Sequence, residues 1–117
     1  MKFKMILVIT KDEKTDLVTE TARAHGATGM TVITNVRGEG LKPKKSFMGL
    51  TVEGQRDIVI LLVEEHISRH ILEEIARAAG FENEPGVGVA MQIDIEDVIG
   101  LGTQIASIRH EIEEEDL

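Results

Sequence analysis

A short echo constrains the fold of this chain most. Ala22-Arg23-Ala24-His25-Gly26 closes one predicted helix, and Ala76-Arg77-Ala78-Ala79-Gly80 closes another. Each helix follows an apolar strand and precedes a second one, so the 117 residues read strand–helix–strand twice. Two such halves build one sheet with helices on one face. Between them lies a polar segment, Arg37 to Gly54, that no compact connection requires. Long connections of this kind are where function concentrates.

Phe3, Met5, Leu7 and Ile9 alternate with Lys2, Lys4, Ile6, Val8 and Thr10, which predicts a strand whose middle is buried on both faces. Thr10 and Glu13 have capping-box spacing, and a helix follows to about His25. Val18 and Ala22, with Leu17 and Thr21, supply its inner face, and Gly26 stops it. Met30 to Val36 reads as the second strand, and a loop then runs from 37 to about 55. Asp57 to Val63 is almost continuously apolar, as in a central strand. Glu64 and Glu65 suit the positive end of the next helix, whose stripe is Ile67, Ile71, Leu72, Ile75 and Ala79. Gly80 ends it, a turn with Pro85 follows, and Val87 to Ile95 forms the fourth strand. A short turn and loop cover 96–102. The segment 103–117 reads as a helix carrying Ile105, Ile108 and Ile112 with an acidic, solvated end. The expected architecture is α+β, a ferredoxin-like βαββαβ domain over 1–102 with a long central loop and a separate C-terminal segment, 103–117. Apolar residues on both sheet faces leave one face needing a cover, and self-association supplies it.

Composition narrows the partners. Aromatic residues are 3% of the chain, so stacking platforms for single-stranded nucleic acid are not expected. The net charge is −8, which repels duplex nucleic acid. Five acids fall in the last seven residues, whereas the central loop carries Arg37, Lys42, Lys44 and Lys45. A cationic loop on an acidic body suits an anionic ligand or an acidic partner. With no cysteine there is no disulfide, thiolate catalysis or Cys-zinc site. The apolar run Met5–Ile9 is too short for a signal-peptide core or a membrane span, so a cytoplasmic protein without membrane insertion is expected.

At the second strand the residues become specific. Gly26-Ala27-Thr28-Gly29-Met30-Thr31-Val32 resembles a segment of the PII signal-transduction proteins, the nitrogen-regulatory family. Arg37-Gly38-Glu39-Gly40 resembles the opening of that family's long T-loop, here about 37–55. Gly86-Val87-Gly88 resembles its B-loop, in place between the second helix and the fourth strand. The likeness spans residues 3 to about 102. It implies a homotrimer with sheets facing inward and clefts between subunits that bind adenine nucleotides. It also implies a T-loop that changes shape and docks on a target enzyme or membrane transporter, as in regulation of nitrogen utilisation. No catalysis and no catalytic cofactor are implied; the output is a shift of populations driven by ligand. Carried over by position, the nucleotide-binding residues are Gly29, Met30, Thr31, Gly38, Gly40, Leu62, Gly86, Val87 and Gly88. The loop contacts for an anion or target are Arg37, Lys42, Lys44, Lys45 and Arg56.

The departures shape the ligand. Val87 and Val89 stand where the family has an acid and a lysine, and the stretch Ile99-Gly100-Leu101-Gly102 lacks the two family arginines. Lys42 replaces a glutamine that helps hold magnesium and 2-oxoglutarate. With three phosphate partners gone, ADP or AMP suits the chain better than ATP with 2-oxoglutarate. The loop has no tyrosine to modify, and Ser46 is unmarked as a site. A sensor of a small anion such as bicarbonate, and a trimeric divalent-cation tolerance protein of the same fold, are the alternatives. An acylphosphatase-like enzyme would need an arginine cradle after the first strand, where Thr10-Lys11-Asp12 stands. His66 and His70 are spaced i, i+4 and could ligate a metal, but at a helix start they read as surface residues, and no metal site is assigned.

Overall fold

In a computed structural model the described residues are 1–37, 46–47, 50–51 and 55–102. The expected helix over 103–117, the boundary at 102 and most of the loop lie outside them. The order is β1 (Phe3–Lys11), a 3-10 turn (Asp12–Lys14), α1 (Thr15–Ala24), β2 (Met30–Val36), β3 (Ser46–Phe47), β4 (Leu50–Thr51), β5 (Arg56–Glu64), α2 (Glu65–Ala79) and β6 (Gly88–Asp94). The four long strands form one antiparallel sheet in the order β2-β5-β1-β6. Each half therefore contributes one central and one edge strand, the arrangement of a ferredoxin-like fold. The minimal β3-β4 ladder within the loop was not expected.

Both helices lie on one face. Ile6, Val8, Val59, Leu61 and Val63 from the sheet pack with Val18 and Ala22 of α1 and Ile71, Ile75 and Ala79 of α2. Burying each such side chain contributes about 2 kcal/mol. α2 is the better-built helix. Glu64 caps it by accepting from the His66 N–H at 2.8 Å, and Gly80 ends it at φ 74°. Ser68 ties it to β6 through a 2.7 Å hydrogen bond to Gln92.

Three expectations need correction. The Thr10–Glu13 capping box does not form, because Thr10 remains in β1 and the 3-10 turn intervenes before α1. Thr10 is buried instead, and its hydroxyl donates to the Val87 carbonyl at 3.4 Å. Leu17 points outward and is exposed, with Thr15 taking the inner position. β1 and β5 are buried on one face rather than two within the protomer.

That second face is almost wholly aliphatic. The registers align Met5, Leu7 and Ile9 with Leu62, Ile60 and Ile58 on one side, and with Ile93, Met91 and Val89 on the other. Ile33 of β2 lies opposite Ile58, and Thr31 opposite Ile60 is the polar exception. Among the described residues, the end of this face is covered where Phe3 packs with Leu101, Leu62 and Ile95. No helix among the described residues is long and apolar enough to cross a membrane.

Candidate functional site

One end of the sheet gathers the loop stems and the Gly86–Gly88 turn. Lys11 N–H donates to the Val87 carbonyl at 2.9 Å, and Asp12 N–H to the Gln55 carbonyl at 3.0 Å. Val36 faces Arg56 across the β2–β5 ladder, and Lys11 faces Arg56 across β1–β5. The Arg56 guanidinium donates to the Gly86 carbonyl at 2.8 Å and reaches the Val87 carbonyl at 3.5 Å. Arg56, expected as an anion contact, thus braces the turn. A cation on two carbonyls fixes the turn against the loop stem and keeps positive charge at this end.

The glycines of the turn have different reasons. Gly86 sits at φ 74°, which a side chain would strain. Gly88 has ordinary backbone, but a Cβ there would stand 2.6 Å from the Phe81 ring and 2.8 Å from the Ile9 carbonyl oxygen. Close packing accounts for that glycine. Val87 is 1% exposed, so its side chain belongs to the core and its carbonyl to the turn's brace.

The other loop stem is pinned by a residue that sequence reasoning passed over. Asp57 is buried, and it accepts from the Thr15 hydroxyl at 2.7 Å and the Asn35 N–H at 3.4 Å. Asn35 has φ 62° where the β2–β5 register shifts, a bulge just before Arg37. One carboxylate therefore joins the start of α1 to the strand end that feeds the loop. The sequence signal was slight: an acid opening an otherwise apolar run.

The remaining candidates lie elsewhere. Gly29, Met30, Thr31 and Leu62 are at the opposite end, since Met30 pairs with Leu61 and Leu62 with Met5. From Thr31 to Val36 is about 16 Å along a strand. Met30 and Thr31 also diverge. Met30 packs toward the helices, while Thr31 is exposed on the open face, because neighbouring strand residues point to opposite sides. Gly38, Gly40, Lys42, Lys44 and Lys45 lie outside the described residues; Arg37 is described and exposed.

Two cavities formed by described residues take in only Met30 of the candidates. One of about 390 Å³ lies between α1 and β2, and Asp12, Asp16 and Asp57 make it a poor seat for phosphate. The other, about 490 Å³, sits beside Lys2, Lys4, Glu65 and Asp94, where Lys4 and Asp94 are paired. A single protomer holds the two groups of candidates apart.

The family described as nitrogen regulatory protein P-II matches residues 3–104. No curated protein matches the chain. Among solved structures, CPII of Thiomonas intermedia K12 bound to ADP, AMP and acetate is similar at 22% identity, TM-score 0.64, over 85% of this chain and 94% of that one. Its apo form, a nitrogen regulatory PII-like protein, is similar at 20% identity, TM-score 0.62, over 81% and 90%. A PII-like signalling protein of Thermus thermophilus is similar at 21% identity, TM-score 0.56, over 81% and 91%. These likenesses are likenesses of fold.

Proposed function

Because the chain belongs to the nitrogen regulatory protein P-II family, we propose that it is a trimeric, non-enzymatic regulator that binds an adenine nucleotide between subunits. ADP or AMP is the favoured ligand, and the loop from 37 to 55 carries the signal to a target enzyme or transporter. The observation that carries this reading is the bare aliphatic face of the sheet. Ten of its positions are aliphatic, and a soluble protomer does not leave such a face to water. Three copies closing around it would cover it. Closure would also bring Gly29, Thr31 and Leu62 of one copy toward the Gly86–Gly88 turn of the next.

The nucleotide assignment is supported by the ADP and AMP bound to the Thiomonas protein. It is also supported by the thin cationic provision here: Arg56 is engaged with carbonyls, and Val87 and Val89 are aliphatic. A ligand with fewer phosphates needs fewer charge partners. The acetate in that same relative favours a small carboxylate or bicarbonate as a second ligand.

Calorimetric titration with ADP, AMP and ATP tests the reading. At least one nucleotide should bind with micromolar affinity, about −8 kcal/mol. Gly29→Val should abolish that binding and leave the oligomer intact by light scattering. A trimer that binds none of the three, with or without magnesium, removes the nucleotide from the proposal. A monomer at micromolar concentration removes the whole of it.

A further inference from the structure

The last turn of α1 and the outer face of α2 bring together two histidines 45 residues apart. His70 Nε2 lies 3.2 Å from His25 Nδ1, with ring centroids 4.9 Å apart and planes at 76°. Both rings stand on firm backbone. His25 N–H is held by the Thr21 and Ala22 carbonyls, and Gly26 turns the chain immediately after it at φ 108°. His70 is mid-helix on α2. Glu74, one turn further, has Oε2 3.9 Å from His25 Nε2, and its other oxygen accepts from Arg77 at 2.6 Å.

Two imidazole nitrogens this close share one proton between two lone pairs. The carboxylate on the Nε2 side of His25 favours the proton there, leaving the Nδ1 lone pair aimed at His70. His70 completes the contact by donating from Nε2. If that proton moves to Nδ1 of His70, both facing nitrogens become ligands. Two nitrogens on one tetrahedral zinc at its usual bond lengths stand about 3.3 Å apart. The existing separation is within tenths of an ångström of that value. Metal-bound histidines commonly have a carboxylate on the far nitrogen, the place Glu74 holds here.

We propose that His25 and His70 form a surface site for one late first-row divalent cation, Zn²⁺ or Cu²⁺, with Glu74 as the positioning residue and water in the remaining positions. The cation staples the end of α1 to α2, four residues before Gly29. The site is independent of the nucleotide reading. It also reassigns the i, i+4 pair seen in the sequence: His66 turns to Glu64, and His70 turns to the other helix. Glu64, Glu65 and His66 gather their own ligand atoms within 4.8 Å, but Glu64 is occupied in capping α2. That cluster serves as the internal control.

Calorimetry of the full chain with zinc and copper salts, alongside long-range imidazole nitrogen NMR, tests the site. One cation per chain should bind with micromolar affinity. The resonances of His25 Nδ1 and His70 Nε2 should move on binding, while those of His66 stay in place. His25→Gln and His70→Gln, which keep side-chain bulk, should each cost tenfold or more. His66→Gln should cost nothing, and Glu74→Gln should cost about tenfold. No binding by the wild-type chain overturns the proposal. So does a loss below tenfold in the folded His25→Gln/His70→Gln double variant, which would place the cation on Glu64–His66 or the acidic C-terminal residues.

Discussion

The two faces of the four-stranded sheet are nearly alike in residue type and opposite in circumstance. On the helix side, Ile6, Val8, Val59, Leu61 and Val63 are at most 2% exposed. On the other side, Val89, Met91 and Ile93 are 36–48% exposed, beside half-buried Leu7, Ile9, Ile58 and Ile60. The helix side also holds buried polar groups, such as Thr10 and Ser68, each with a partner. On the open side the polar strand residues are Thr31 and, at the loop end, the facing pair Lys11 and Arg56. A face that packs within the protomer can afford internal hydrogen bonds. Under the proposed assembly the open face meets another copy of itself, and a contact between repeated copies of one surface favours a plain one.

Neighbouring residues on β5 would break this comparison most sharply. Ile60→Asp should abolish assembly while leaving the protomer folded, read by sedimentation and circular dichroism. Leu61→Ala, one residue away and on the helix side, should instead cost about 3 kcal/mol in chemical denaturation. If the two variants fail in the same way, the faces do not have separate tasks. Next in size, Gly88→Ala should cost about 2 kcal/mol by forcing a methyl into Phe81 and the Ile9 carbonyl. Gly102→Ala, with open space around it, should stay within about 0.5 kcal/mol. Equal losses would place the reason for Gly88 elsewhere than in packing.

The smallest effect concerns pH on the helix side. The hydrogen bond to Glu64 and that carboxylate's charge, aided by Glu65, raise the His66 pKa above 6.5. A raised histidine stabilises the fold fully below its unfolded pKa and loses that contribution as pH rises through the folded one. His66→Ala should therefore differ from wild type in melts below pH 6.5 and converge with it at high pH. NMR titration should place the His66 midpoint above that of an unstructured peptide; a midpoint at or below it refutes the contact.

Periodicity made much of the fold readable. β2 spans Met30–Val36 as expected, the α2 stripe faces the core through Ile71, Ile75 and Ala79, and Gly26 and Gly80 both close helices with positive φ. These features are local, because alternation, a three-to-four spacing and a left-handed glycine each act within a few residues. The capping box failed for the opposite reason. Thr10 has a better partner in Val87, 77 residues away, and tertiary contact outweighed local spacing. The candidate site was legible as residues but not as a place. The sequence alone could propose Arg56, Gly86 and Gly29 but could not show that the first two meet and the third lies at the far end of the sheet.

By itself, then, the order of residues determined the strand–helix–strand echo, the aliphatic character of both sheet faces and the likeness to the P-II family. Tertiary structure alone decided that Arg56 braces the turn, that Asp57 pins the loop's other stem and that His25 meets His70. Each of those pairs joins side chains distant along the chain, and only the antiparallel registers and the helix packing bring such groups within reach of a hydrogen bond.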